Sequence, residues 1–383
     1  MNATLFATLV SVALKACRLV ISNVLSVSTP MTDASLPEPS MAAPLLQQLR
    51  EVLQAQPVNE AEALNLLKQL KHTPEGSAWL CVVDTLPTLA RGTAHPSILH
   101  EALATLAYLK AQSAYSLFAE VAIGSAVVAA FVEPAPSPSH AERLTRCRVQ
   151  AIRQLGLLGN AQAMQPLMTL LNDRTLNYRL RLEAAEALGR LGDHHAIDSL
   201  LSIARDDKEP SLYLRESAVK ALGMLGDIRA LDPLLELFEA KRGVKQKFAF
   251  VMEQLVSAIH HLATPHDQKV LASLQTALRD ASPTLRLSAV EAIGDLGDEH
   301  HVPMLQERLF DDNTDVAHAA LSAIYKLSGT PGVLRQWQNE RLPQFLREEI
   351  QLFLVSQGEL ALEADALALE REAQAEPNTD ELP

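Results

Sequence analysis

The middle of the chain carries a pattern of apolar and polar positions that has helical spacing and then repeats. Between residues 180 and 192, Leu182, Leu188 and Leu191 fall on one face of a helix. The same face returns in further copies, each of which ends in two glycines three residues apart. The second glycines of these pairs are Gly159, Gly192, Gly226 and Gly297. Their intervals of 33, 34 and 71 residues predict stacked helical repeats, with one irregular unit inside the longest interval.

Each repeat unit predicts a first helix, a stop at the second glycine, and a second helix. The second glycine suits the position just after a helix, where left-handed backbone costs glycine little. The other glycines lie inside the first helix: Gly156, Gly189, Gly223 and Gly294. Glycine costs about 1 kcal/mol relative to alanine there, so we expect it to permit close approach of a neighbouring helix. Prolines mark the start of the second helices: Pro166, Pro233 and Pro303.

An arginine stands eleven residues before each second glycine, at Arg148, Arg181, Arg215 and Arg286. We expect it to open the first helix and to contact the acidic residues that end the preceding unit. These acidic residues are Asp173, Asp206, Asp207 and Asp280. The repeat arginines are therefore predicted to form a structural ladder, and direct ligand binding by them is the alternative.

These residues resemble HEAT repeats, and more narrowly the HEAT-like repeat of the phycobilisome-lyase group. That pattern has Asp, then Val/Leu-Arg, small apolar residues, Leu-Gly-x-Leu-Gly-Asp, and a second helix that begins with Pro-Leu. The likeness covers residues 148–329 and implies an all-α fold, an α-solenoid of helical hairpin repeats. The same repeat serves bilin lyases, phycobilisome-degradation factors and plain scaffolds, so the resemblance implies a photosynthetic, cyanobacterial context without naming one activity.

The rest of the chain is divided by changes in composition. A proline-rich stretch separates weaker repeats from the regular array, and a very apolar helix is predicted just before it, over residues 115–131. The predicted parts are residues 1–30, an amphipathic segment; 31–43, a linker; 44–131, degenerate repeats; 132–140, a proline-rich loop; 141–330, the array; 331–357, capping helices; and 358–383, an acidic tail.

Residues 1–30 contain no acidic residue, and Lys15 and Arg18 are their only charged side chains. Their polar residues form one narrow stripe on an otherwise apolar helix, which is typical of peripheral membrane contact or partner docking. The basic residues follow the apolar run, unlike those of a signal peptide. Two alternatives stay open: translation begins at Met31, or the segment is cleaved or spans a membrane.

The charge and the cysteines narrow the function classes. A net charge of −13 argues against nucleic-acid binding, which needs a basic surface to displace counterions. Three cysteines without a Cys-x-x-Cys pair predict a reducing compartment, no structural zinc and a cytoplasmic location. We therefore expect no metal and no bound cofactor.

Three groups of side chains could take part in catalysis, metal binding or partner docking. Cys147 lies between two arginines that would favour its thiolate, yet no catalytic partner can be located and a plain helix cysteine is expected. Paired histidines near the repeat turns could bind a metal, but solvated turn histidines are the preferred interpretation: His194, His195, His260, His261, His300 and His301. A basic patch on one long connection could dock an acidic partner or stay a solvated loop: Lys241, Arg242, Lys245 and Lys247.

The binding surface is predicted on a concave face lined by the second helices. Its candidate residues are Gln162, Gln165, Asp198, Ser202, Asp232, Glu236, Lys269, Gln275, Gln306 and Arg308. This polar surface of mixed charge suits a protein partner better than a small molecule, whose pocket would be mostly apolar.

The sequence thus favours a non-enzymatic adaptor or scaffold, an assembly or turnover factor for photosynthetic pigment–protein or cofactor-containing complexes. One alternative is a bilin lyase or lyase subunit acting on phycobiliproteins. Lyase subunits of the E type resemble this chain in repeat pattern but carry the aromatic stretch Tyr-Tyr-Ala-Ala-Trp-Trp-Leu-Gly. Residues 182–189 read Leu-Glu-Ala-Ala-Glu-Ala-Leu-Gly and contain no ring. A second alternative is a helper for iron–sulphur or other cofactor delivery.

Overall fold

The computed structural model describes residues 42–72, 77–131, 137–241, 249–328 and 342–356. These residues form α-helices joined by short turns and 3₁₀ segments, and no strand occurs among them. Neighbouring helices in the chain stack into a single array with one continuous apolar core. The predicted all-α solenoid is confirmed.

The helices are numbered in chain order within the described ranges. They are α1 (Ala42–Gln54), α2 (Glu60–Lys71), α3 (Ser77–Gly92), α4 (Pro96–Tyr108), α5 (Tyr115–Ile123), α6 (Pro138–Leu158), α7 (Met164–Asn172), α8 (Tyr178–Leu191), α9 (Ile197–Arg205), α10 (Leu212–Leu225), α11 (Leu231–Lys241), α12 (Ala249–Leu262), α13 (Gln268–Ala277), α14 (Pro283–Leu296), α15 (Val302–Gln306), α16 (Thr314–Ser328) and α17 (Gln344–Ser356). The first helices of the repeats are α6, α8, α10, α12, α14 and α16, and the second helices are α7, α9, α11, α13 and α15.

Glycine ends three of the first helices in the predicted way. Gly159, Gly192 and Gly226 are left-handed, with φ of 66°, 75° and 68°, a conformation that strains other residues. The prediction of left-handed backbone is wrong at Gly297, whose φ is −82°. Glycine is needed there for space, because a Cβ would lie 2.7 Å from the carbonyl oxygen of Ile293.

The glycines inside the first helices bring neighbouring helices into backbone contact, as predicted. A Cβ at Gly156 would lie 2.7 Å from the Cα of Ala187, and one at Gly189 would lie 2.8 Å from the Cα of Ala221. Gly223 meets Ala258 in the same way, at 3.0 Å. Such distances leave no room for a side chain at these positions, so the backbones of adjacent first helices are in contact there.

Adjacent second helices are spaced more widely than adjacent first helices and meet through polar side chains. Asn172 on α7 reaches Ser199 on α9 at 3.5 Å, and Arg205 on α9 reaches Glu236 on α11 at 2.9 Å. A stack whose rows differ in spacing bends toward the closer row, so the first helices lie on the concave side. This geometry is opposite to the expectation that the second helices line the concave face.

The repeat arginines hold the loops between units together. Arg181 donates to the carbonyl oxygen of Leu171 at 3.0 Å and pairs with Glu209 at 2.9 Å. Arg286 donates to the carbonyl oxygen of Asp280 at 3.0 Å and pairs with Asp311 at 2.6 Å. Arg181 therefore binds the end of the preceding helix, Arg286 binds the loop that follows it, and both reach forward to an acid in the loop after their own unit.

The other two arginines differ from each other. Arg215 pairs with an aspartate of the preceding unit, Asp207, at 3.4 Å, as expected. Arg148 donates instead to the carbonyl oxygen of Ala122 at 2.9 Å. It also lies in the middle of α6, because that helix begins at Pro138, so the prediction that Arg148 opens its helix is wrong.

The apolar helix predicted over residues 115–131 is shorter in the structure. α5 ends at Ile123, because Gly124 is left-handed with φ 74°, and a separate 3₁₀ segment follows at Ala129–Phe131. The predictions for residues 1–41, 132–136, 329–341 and 357–383 lie outside the described residues. Within the described ranges, no helix is both long and apolar enough to cross a membrane.

Candidate protein-interaction surface

The first helices present one exposed stripe to solvent, and we call this stripe the inner face. On α10 it runs through Tyr213, Glu216, Lys220 and Met224, while the residues between them are mostly buried. The matching stripe on α6 carries Arg143, Arg146, Val149, Arg153 and Leu157. Because these positions recur with the repeat, the inner face is continuous from α6 to α16.

A network of ion pairs crosses the inner face between α6, α8 and α10. Arg153 binds both carboxylate oxygens of Glu183, at 3.0 and 2.9 Å. Arg190 donates to Glu183 at 3.3 Å and to Glu186 at 2.6 Å, and Lys220 donates to Glu186 at 3.2 Å. Only 4% of the Glu183 side chain is exposed, so this carboxylate is firmly fixed between its two arginines.

A groove of about 770 Å³ lies on the inner face between α6 and α8, with His100 of α4 at its edge. Val149 and Leu182 provide its half-buried apolar part, and Arg146, Arg153 and Arg179 provide its charge. Arg179 pairs with Glu142 at 2.9 Å, whereas Arg146 approaches the same carboxylate only to 3.6 Å. About two thirds of the Arg146 side chain is exposed, so its guanidinium can accept a further acidic partner.

Two exposed aromatic side chains continue the inner face beyond this groove. Tyr213 on α10 is 64% exposed and Phe250 on α12 is 68% exposed. Each stands thirteen residues before the end-of-helix position of its own unit, so the two rings occupy the same register on adjacent helices. Large exposed rings are enriched in protein interfaces, because they bury much apolar area with few rotatable bonds.

The charge of the inner face changes along the array. On α6 the stripe carries Arg143, Arg146 and Arg153 against Glu142. At the other end, the α14 stripe carries Glu291 and Asp295, and Lys326 of α16 pairs with Asp295 at 2.5 Å. The inner face is therefore basic at α6 and acidic near α14.

The second-helix residues predicted from the sequence lie on the outer, more widely spaced row. Most of them are exposed, and several pair with one another or with the next unit. Lys269 pairs with Asp232, Glu236 with Arg205, and Arg308 with Asp311 at 3.2 Å. Their binding role stays a prediction.

The basic patch on the long connection can be placed only at its first residue. Lys241 pairs with Asp207 at 2.5 Å, and 17% of its side chain is exposed. It therefore links α11 to the loop before α10, which is a structural role. Arg242, Lys245 and Lys247 lie outside the described residues.

Cys147 is a core residue. Its side chain is fully buried, and its Sγ lies 3.3 Å from the carbonyl oxygen of Pro96. Burial raises the pKa of the Cys147 thiol to about 12, which outweighs the neighbouring arginines. The idea that flanking positive charge favours the Cys147 thiolate is wrong, because the side chain points into the core.

Most of the turn histidines lie beside carboxylates, some across a unit boundary and some within their own turn. His194 lies 3.1 Å from Asp227 and His260 lies 3.0 Å from Asp295. His301 lies 2.7 Å from Asp298 of its own turn. Among the described residues, no group of three histidine, cysteine or acidic side chains is arranged to hold a metal ion.

Family comparisons agree with the repeat geometry. The model for HEAT repeats matches residues 143–212 and 255–325. The model for the PBS lyase HEAT-like repeat matches residues 214–240 between them. These segments are HEAT repeats. The repeat units of the array thus belong to the repeat class that the sequence resembles.

Solved structures match parts of this chain at low identity and low TM-score. A designed armadillo repeat protein, YIII(Dq)4CqI, is 19% identical, covers 55% of this chain and 99% of its own, and gives a TM-score of 0.35. The CpcE–CpcF complex of phycocyanin lyase from Nostoc sp. PCC7120 is 22% identical, with coverages of 51% and 76% and a TM-score of 0.36. Human deoxyhypusine hydroxylase in complex with glycerol is 20% identical, with coverages of 72% and 96% and a TM-score of 0.31. No curated protein matches the chain significantly.

Proposed function

We propose that this HEAT-repeat protein is a non-enzymatic scaffold that holds another protein on its inner face. The observation that carries the proposal is the continuous exposed stripe on the closely packed first helices. It combines a charged groove at Arg146 and Arg179 with the two exposed rings of Tyr213 and Phe250. Aromatic and arginine side chains dominate the energetics of protein interfaces, so this composition suits a protein partner.

The match to the PBS lyase HEAT-like repeat suggests the process in which such a scaffold would act. Residues 214–240 match the PBS lyase HEAT-like repeat, so we propose assembly or turnover of pigment–protein or cofactor-containing complexes. The same match supports the second candidate, a bilin lyase subunit acting on phycobiliproteins. Delivery of an iron–sulphur or other cofactor has less support, because Cys147 is buried and the turn histidines pair with aspartates.

The test is capture of partners from the source cells with tagged full-length protein. The inner-face variant is Tyr213→Ala with Phe250→Ala. The matched control is Ile228→Ala with Phe310→Ala, two apolar residues that are 56% and 52% exposed away from the inner face. Losing two interface rings should reduce partner recovery about tenfold or more, since such anchors contribute over 1 kcal/mol each.

The control variant should retain the partner at the level of the unchanged protein. Equal recovery with both variants would refute the inner face as the binding surface. An eluate that absorbs visible light and contains phycobiliprotein subunits would replace the scaffold proposal with the lyase candidate.

A further inference from the structure

Two exposed rings and two half-buried carboxylates lie together on the inner face at α10 and α12. Tyr213 and Phe250 occupy the same register, and each is followed three residues later by a glutamate, Glu216 and Glu253. Residues three apart in a helix are neighbours on its surface, so each ring has a carboxylate beside it. We call these four residues the ring–carboxylate cluster.

The contact between α10 and α12 brings the two halves of the cluster close together. A Cβ at Gly223 would lie 3.0 Å from the Cα of Ala258, so the two helix backbones touch. The axes of helices in contact lie about 8–10 Å apart, and a cation is attracted to an aromatic ring from within about 6 Å of its centre. One cation placed between α10 and α12 can therefore lie within range of both rings.

The carboxylates of the cluster lack a basic partner. Within the described ranges neither one forms an ion pair, and Glu253 accepts a hydrogen bond from the Thr284 hydroxyl. Lys220, one helical turn after Glu216, donates instead to Glu186 at 3.2 Å. Burial raises the pKa of Glu216 and outweighs the attraction of Lys220. The nearby charges of Glu253 and Glu186 raise this pKa further, so the site is short of positive charge.

An arginine side chain has the shape and the charge that the cluster lacks. Its planar guanidinium stacks on aromatic rings, while its N–H groups donate in the plane to carboxylate oxygens. A lysine ammonium is a compact and strongly hydrated charge, and it cannot stack in this way. The net charge of −13 on the whole chain also attracts a basic partner segment.

We propose that an arginine of the partner protein binds the ring–carboxylate cluster, with its guanidinium on the rings and its N–H groups donating to the two carboxylates. This inference rests on the proposed function, because it names the chemistry that the inner face recognises in its partner. The groove at α6 and α8 has the opposite charge at Arg146 and Arg179, so it would repel the same side chain. The partner arginine is thereby directed to α10 and α12.

The test measures the binding of synthetic nonapeptides to the full-length chain, followed by the NMR signals of isotope-labelled tyrosine and phenylalanine rings. One peptide carries a single arginine between two leucines in a glycine–serine chain. A matched peptide carries citrulline, which keeps the shape of arginine without its charge. Exposed ring and carboxylate contacts with a cation contribute a few-fold each, so the arginine peptide should bind about tenfold more tightly than the citrulline peptide.

Neutralising the two carboxylates provides the decisive arm. In Glu216→Gln with Glu253→Gln, the two peptides should bind alike, because the variant removes the charge and keeps the shape. The matched control, Glu236→Gln with Glu307→Gln, neutralises two exposed carboxylates away from the inner face and should keep the tenfold preference. The inner-face variant should unfold at the same urea concentration as the unchanged protein or at a higher one, because it removes a repulsion between like charges.

An arginine preference that persists in the inner-face variant, or is absent from the unchanged protein, would overturn the proposal. A lysine peptide that binds as tightly as the arginine peptide would overturn the assignment to a guanidinium. The two proposals can fail separately. If partner capture depends on Tyr213 and Phe250 but not on the charges of Glu216 and Glu253, the scaffold stands and arginine recognition is refuted. If the peptides behave as expected while capture is unaffected by the ring variant, the cluster binds arginine and the scaffold proposal is refuted.

Discussion

The spacing of the first helices can be tested at Gly189. In the substitution Gly189→Ala, the new Cβ would lie 2.8 Å from the Cα, 3.0 Å from the Cβ and 3.1 Å from the carbonyl oxygen of Ala221. Comfortable carbon contacts begin near 3.5 Å, so α8 and α10 must separate by about 0.7 Å. Overpacking of this kind costs up to about 3 kcal/mol, and the better helix propensity of alanine returns about 1 kcal/mol. We expect a net destabilisation of about 2 kcal/mol.

Substitutions at two other glycines distinguish steric overlap of a new side chain from strain of the backbone conformation. Gly92 has no atom within 4 Å and an ordinary φ, so Gly92→Ala should be neutral or slightly stabilising. Gly159 also has free space but a φ of 66°, so Gly159→Ala should cost about 1 kcal/mol through backbone strain alone. Removing the neighbouring methyl group in Gly189→Ala with Ala221→Gly should rescue little, since the Cα and carbonyl contacts remain.

The assay is urea unfolding followed by far-ultraviolet circular dichroism, with the free energy taken from midpoint and slope. Repeat arrays can unfold in segments, so hydrogen exchange of the α8 and α10 amides should accompany it. Faster exchange confined to these helices is expected in Gly189→Ala. A Gly189→Ala protein as stable as Gly92→Ala would refute the argument that backbone contact sets the helix spacing.

Three further predictions concern charge and thiol chemistry. Arg181→Ala should destabilise the protein by about 3–5 kcal/mol in urea unfolding, because it leaves the buried carboxylate of Glu209 without its partner. The double variant Arg181→Met with Glu209→Leu should cost less, because it leaves no buried charge unpaired. The pKa of Asp227 is lowered from 3.8 to about 2, chiefly by a hydrogen bond from the Arg229 side chain. The ionised carboxylate therefore contributes to the free energy of unfolding above pH 4, and this contribution is lost as the pH falls through 2. The stability gap between Asp227→Asn and the unchanged protein, measured by urea midpoint, should therefore close across that window, and a gap that persists at pH 2 would contradict it. Because burial raises the pKa of Cys147 to about 12, iodoacetamide at pH 8 should label it only after unfolding, as judged by peptide mass spectrometry, and rapid labelling of the native protein would contradict its buried position.

The repeat and its helix-ending glycines could be predicted because each depends on the conformation of only a few neighbouring residues. Gly159, Gly192 and Gly226 end helices in left-handed geometry, and that requirement is visible in one repeat at a time. Gly297 shows the limit of such reasoning. It has the same place in the pattern, but the His301 ring packs 3.3 Å from the position of its missing Cβ, and the turn closes differently.

The side of the array that curves inward could not be predicted, because curvature depends on the difference between two spacings. Each helix row has a plausible apolar face and a polar face, and the sequence marks both with similar periodicity. The signal that could have identified the more closely spaced row is the glycine inside the helix, because among the paired helices of the array only first helices carry one: Gly156, Gly189, Gly223 and Gly294. Cys147 was misjudged for a related reason, since flanking arginines are visible in the sequence but the direction of the thiol is not.

Fold stability and the shape of the inner face depend on the same atoms. Gly156 touches the backbone of Ala187, and one helical turn away Arg153 binds Glu183 at the floor of the groove. Any side chain at Gly156 would move α6 from α8, lengthen that ion pair and widen the groove. The spacing glycines are therefore positioning residues for the binding surface as well as packing residues. A partner that grips both α6 and α8 would in turn tighten their contact, so binding should stabilise this part of the array against hydrogen exchange.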